Sequence, residues 1–122
     1  MKPLNTIQKK IMAYIDQHDE TSFVELENIF DDCSFDWCGN QRIASSECNN
    51  LWFWTGWNKP AVRLVVELLH SHMIEMRQVS PKVYYIDGIT LKVPVANRQR
   101  FYKTPHWLPV AFTSKRTSTK RG

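Results

Sequence analysis

One segment constrains this chain more than any other. Asn58 can cap a helix, and Pro60 suits a first helical turn, where its missing N–H costs nothing. Ala61, Val62, Leu64, Val65, Val66, Leu68 and Leu69 then cover well over half the circumference of a helix at about 59–72. Only Lys59, Arg63, Glu67 and His70 form a polar stripe. A helix so apolar has to be buried on several sides, so the rest of the chain must wrap around it.

The flanks supply the wrapping. Ile7, Ile11, Tyr14 and Ile15 recur at helical spacing within 4–18. Ser22 with Glu25 is a capping box ahead of Phe23, Leu26, Ile29 and Phe30, the apolar face of a helix at about 22–31. Leu51–Trp54 reads as a short aromatic strand. Met73–Val79 and Lys82–Ile86 read as a hairpin turning at Ser80-Pro81, and Ile89–Val95 as a further extended segment held to an edge by Pro94. Residues 31–50 lack a period and are expected to be an ordered loop, with room for a short helix at 41–49. Residues 101–110 mix prolines with large apolar groups and are expected to pack back on the domain. The end, from Thr113, is small, polar and basic, and is expected to be disordered.

With 122 residues the chain is one domain in size. The expected division is a folded body at 1–96 and a basic C-terminal arm at 97–122. Its formal charge of +4 is unevenly spread. Residues 97–122 hold seven bases and no acid, leaving residues 1–96 with a net of −3. Eight acids lie between Asp16 and Asp36, where no Lys or Arg occurs. A basic arm on an acidic body points to a phosphate-bearing partner, with the acidic end turned away from it.

The order helix, helix, strand, buried helix, hairpin resembles the winged helix-turn-helix superfamily. Ile7–Ile15 and Phe23–Phe30 stand as the first two helices, Lys59–His72 as the third, and Met73–Ile86 as the wing, with Leu51–Trp54 as the small strand beside it. Asn50–Trp57, Asp87-Gly88 and Tyr102–Pro109 are also similar to small accessory proteins of Gram-positive phages and mobile genetic elements. The resemblance implies an α+β winged helix, a three-helix core plus a β-hairpin wing, with residues 31–50 inserted. It implies a non-enzymatic nucleic-acid-binding accessory protein of low sequence specificity, acting in replication or regulation of such an element. The third helix offers too few polar groups for the base-edge readout of a major groove.

The candidate nucleic-acid contacts are Lys59, Arg63, Arg77, Lys82, Arg98, Arg100, Lys103, Lys115, Arg116, Lys120 and Arg121. They would serve DNA, single- or double-stranded. Trp54, Trp57, Tyr85 and Trp107 are candidates for base stacking or partner contact, with Trp57 expected to be exposed beside Gly56. A protein-interaction module docking on a polymerase, primase, helicase or host factor is the alternative function. Cys33, Cys38 and Cys48 with His72 admit a three-Cys, one-His zinc site, although no CxxC pair exists. The other reading is three ordinary thiols and two helix-end histidines. No cofactor is expected. No glycine-rich phosphate loop or activated nucleophile is present, so an enzyme is not expected. No apolar run of about 18 residues occurs, so no membrane partner is expected. Without a secretion signal, the expectation is a cytoplasmic protein with reduced cysteines.

Overall fold

A computed structural model describes residues 4–18, 20–86 and 88–114. It is an α+β fold of four helices and two small sheets. In chain order the elements are α1 (Thr6–Gln17), α2 (Phe23–Asp32), β1 (Cys38–Ala44), β2 (Leu51–Trp57), α3 (Lys59–His70), β3 (Ile74–Gln78), α4 (Lys82–Tyr85), β4 (His106–Trp107) and β5 (Val110–Ser114). One sheet runs β1-β2-β4, with β1 antiparallel and β4 parallel to β2. The other is the antiparallel pair β3-β5.

The three long helices form where capping chemistry and apolar spacing agree. Asn5 and Gln8 make a capping box on α1, and Ser22 and Glu25 make one on α2. Asn58 accepts from the Ala61 N–H at the start of α3, with Pro60 in its first turn. Ala61, Leu64, Val65 and Leu68 are the buried face of α3. Each of the Val and Leu side chains there contributes about 1.5–3 kcal/mol by leaving water. Gln8 ties α1 to α3, donating to the Leu64 carbonyl (3.1 Å) and to the Glu67 carboxylate (3.0 Å).

Five local expectations are corrected. First, Lys82–Tyr85 is a helical turn, not the return strand of a hairpin. The Tyr84 side chain decides this. Fully buried, its hydroxyl donates to the Val110 carbonyl (2.6 Å) and accepts from the Phe23 N–H (3.1 Å). Second, β3 therefore takes its partner from β5, with Met76 opposite Phe112, and β2 pairs with β1 and β4 rather than with β3. Third, residues 31–50 contain β1, a largely exposed strand with register shifts, in place of a loop or a helix at 41–49. Fourth, Thr113 and Ser114 are ordered strand residues in place of the expected disorder, while residues 101–110 pack back on the body as expected. His106–Trp107 and Val110–Ser114 are strands, and Thr113 and Ser114 are buried. Thr21 bridges Phe112 on the other side of β5. Fifth, the extended edge segment expected at Ile89–Val95 is not formed: residues 89–94 carry no strand, and within it only Val95 makes a bridge, to Trp107.

The core lies between the helices and the two sheets and is dominated by aromatic rings. Phe23 stacks on Trp54 at 5.6 Å and meets Phe112 edge-on at 4.9 Å. Tyr84 packs against Trp54 and Trp107 at 5.1 and 5.2 Å. Each such pair adds about 0.5–1.5 kcal/mol beyond area burial. The aromatic surplus of the sequence is mainly core material.

Candidate nucleic-acid interface

Three of the four stacking candidates are inside. Trp54, Trp57 and Trp107 are buried, and Trp57 has 0% exposure. The expectation of an exposed Trp57 is thus overturned. Its ring packs edge-on against Phe30 (5.1 Å) and Phe23 (5.5 Å), and its indole N–H donates to Glu27 at 2.9 Å. Trp54 donates to the same Glu27 oxygen, also at 2.9 Å. Two indoles thus replace the water that a carboxylate would otherwise need, and burial raises the Glu27 pKa above its ordinary value. By charge alone Glu27 is one of the eight clustered acids. Its place four residues after Phe23 and three before Phe30 puts it on the apolar face of α2, which is the signal that sets it apart. Tyr85 is exposed, beside the exposed Ile86 and Ile89.

The candidate bases divide between places. Lys59 and Arg63 are exposed on the first turns of α3. That end is acidic: Asn58 donates to the Asp36 carbonyl (2.7 Å) and Trp37 donates to Asp31 (2.8 Å), holding the 31–37 segment against the helix start. Arg77 is exposed on β3 with Glu75 at 3.7 Å. Lys82 opens α4. Arg98, Arg100 and Lys103 occupy the segment between Ala96 and β4, at the Leu51 end of β2. The seven residues of β2 put about 20 Å between that end and α3. Lys115, Arg116, Lys120 and Arg121 lie outside the described residues.

The segment carrying Arg98, Arg100 and Lys103 is held at several points. The Tyr102 hydroxyl donates to the Arg98 carbonyl at 2.9 Å. The Tyr102 N–H reaches the Cys48 sulfur at 3.4 Å, and the Asn50 amide donates to the Tyr102 carbonyl at 3.0 Å. The Tyr102 ring stacks on His106 at 4.2 Å, and the Arg100 guanidinium lies 4.9 Å from its centroid. On the neighbouring strands the Arg42 guanidinium sits 5.0 Å over the half-buried Trp52 ring. Cation–π contacts orient these guanidinium groups without neutralising them, so both keep their charge for an anion. Phe101 stands between Arg100 and Tyr102 and is 72% exposed. A shallow cleft separates Gln99, Arg100 and Phe101 from Ser45, Glu47, Cys48 and Leu51.

Trp52 lies in the aromatic run that composition already marks, whereas Arg42 and Phe101 are functional candidates that sequence reasoning misses. The alternation of bases and aromatics in Arg100-Phe101-Tyr102-Lys103 is the readable signal for the last; nothing in sequence places Arg42 beside Trp52. The zinc alternative is not supported by the geometry. Cys48 is buried against the Tyr102 backbone, Cys38 is exposed on β1, and His72 is exposed after α3. Among the described residues, no three His, Cys, Asp or Glu side chains converge as a metal site would require. No described helix is long and apolar enough to cross a membrane. No family model matches the chain, and no curated protein or solved structure was found similar to it.

Proposed function

We infer that the protein is a non-enzymatic nucleic-acid-binding accessory protein of low sequence specificity, acting on DNA through the surface around residues 97–106. One observation carries this reading: Arg98, Arg100 and Lys103 stand in an acid-free segment whose exposed Phe101 and ring-supported Arg100 offer charge and an aromatic face together. Single-stranded nucleic acid is bound by that combination, bases stacking on aromatics while basic groups follow the backbone. Arg42 over Trp52 extends the surface onto the β1–β2 pair. Lys59 and Arg63 contribute little, because Asp31, Asp32 and Asp36 share their end of the molecule. In this reading α1–α3 with β3 and β5 are a winged-helix variant whose second wing strand comes from the C-terminal segment. A place in replication or regulation of a phage or mobile element rests on the sequence resemblance. Anisotropy titration of labelled single- and double-stranded oligonucleotides at low salt tests the reading. Binding by neither rules it out.

A protein-interaction module is the second reading, and a different observation favours it. Tyr85, Ile86 and Ile89 are 53%, 85% and 44% exposed within one short stretch around α4. Such a cluster is an exposed apolar patch of the kind that marks a contact surface, and Tyr is favoured at contact hot spots. A Tyr85→Ala, Ile86→Ser variant that keeps its fold but loses co-purification with a replication protein would favour this reading. Unchanged co-purification would count against it.

A further inference from the structure

We propose that the cleft between Phe101 and Glu47 holds one unpaired nucleobase and selects for N–H donors on its Watson–Crick edge, guanine first. The proposal rests on the nucleic-acid reading and sharpens it from a charged surface to a base-sized site. The cleft has the parts that holding one base requires. Phe101 supplies a free aromatic face at the rim. Leu51 and Cys48, both buried, make an apolar floor on which a flat ring can rest. Arg100, oriented on the Tyr102 ring, supplies the charge for the adjoining phosphate.

The selectivity comes from Glu47. Among the described residues it is the one acid lining the cleft, and its main chain is fixed by its N–H donating to the Ser45 hydroxyl at 3.1 Å. An ionised carboxylate only accepts hydrogen bonds. Guanine presents two adjacent N–H donors on its pairing edge and can engage both carboxylate oxygens. Cytosine and adenine present one amino group there, and thymine presents a lone N–H between two carbonyls that repel the carboxylate. An acid in a phosphate-binding surface would be a liability without such a role, because it repels the backbone that the bases attract.

The site is also held ready before binding. The Cys48 thiol engages both the N–H and the carbonyl of Tyr102, at 3.4 and 3.7 Å, so the floor and the Phe101 side of the cleft are joined. The backbone on both sides of the cleft therefore needs little ordering by the ligand, which favours affinity.

The test is an anisotropy titration of the full chain with a short oligothymidylate and with the same oligomer carrying one central guanosine. The guanosine oligomer should bind about tenfold tighter, within the range of a bidentate contact to one base. Glu47→Gln should erase that difference while leaving oligothymidylate binding no weaker than wild type. Phe101→Ala should weaken binding of both. Both side chains are exposed, so both variants should fold. Equal wild-type affinity for the two oligomers overturns the base site and leaves the general nucleic-acid reading standing. Retention of the difference in Glu47→Gln also overturns it. Binding of neither oligomer overturns both.

Discussion

Trp57 donates its indole N–H to the Glu27 carboxylate across 2.9 Å, in a core from which water is excluded. The relationship joins the end of β2 to the middle of α2 and fixes the start of α3, which follows Trp57 directly. Trp54 shares the same acceptor oxygen, so one carboxylate serves two buried donors. Polar satisfaction inside the core, rather than ligand contact, accounts for Trp54 and Trp57.

Removing that acceptor should be costly. Glu27→Ala leaves two indole donors without a partner, at about 1–3 kcal/mol each. Glu27→Gln keeps an acceptor oxygen and should lie well above the Ala variant in urea-unfolding stability. Similar stabilities for the two would show that the indole bonds matter little.

The same residue gives a pH dependence. Burial raises its pKa above 4.5, Asp31 adds a push in the same direction, and the hydrogen bonds from Trp54 and Trp57 oppose them. A carboxyl raised in the fold binds its proton more tightly folded than unfolded. Below pH 4.5 its ionisation therefore costs the fold little, and above the raised value the full cost applies. Glu27→Gln, which cannot ionise, should gain stability relative to wild type as pH rises from below 4.5 to neutrality. Paired urea titrations across that range check this; a stability difference that stays constant contradicts a raised Glu27.

Tyr84→Phe should destabilise by about 1–3 kcal/mol, because it strands the Phe23 N–H and the Val110 carbonyl inside the core. Those groups belong to the first residue of α2 and to the start of β5. Thermal unfolding should show a clear fall in Tm. An unchanged Tm would mean that the hydroxyl does not hold α4 in its helical turn.

Two glycines should fail for different reasons. A Cβ on Gly39 would stand 2.6 Å from the Asn58 Cα and 2.7 Å from the Trp57 carbonyl oxygen, both backbone atoms. Gly39→Ala should therefore push β1 off the end of β2, at about 1–3 kcal/mol. Gly56 has open space around it but a φ of +96°. Gly56→Ala should cost about 1–2 kcal/mol through backbone conformation alone. Urea unfolding of both variants checks the pair, and wild-type stability of Gly39→Ala would contradict the close approach.

The three long helices are legible in the sequence: caps and apolar spacing coincide at Ser22 and Asn58, and apolar spacing alone marks α1. β1 is not, because Cys38–Ala44 is mostly exposed and interrupted by register shifts, so no alternation marks it. β5 is hidden for the opposite reason. Flanked by β3 and Thr21 and packed on α1, all five of its residues are buried and the period of two disappears. Lys82–Ile86 has the composition of a strand, and a long-range hydrogen bond from Tyr84 overrides it. Of the candidate interface, the bases of 98–103 are legible as charge. The cleft is not, because Glu47 and Phe101 meet only through the fold.

The two basic regions should behave differently in binding. Lys59→Gln with Arg63→Gln should leave oligonucleotide affinity nearly unchanged, since the acids of residues 31–36 already offset that end. A reduction comparable to that from neutralising Arg98, Arg100 and Lys103 would return α3 to the interface.

The most direct test of the nucleic-acid reading is the salt dependence of binding to a single-stranded oligonucleotide, in wild type and in Arg98→Ala, Arg100→Ala, Lys103→Ala. Each phosphate that the protein no longer neutralises should flatten the slope of log affinity against log salt by about 0.7, so the slope of the triple variant should be shallower by about 2. Equal slopes in the two proteins, or no binding by wild type at low salt, would contradict it.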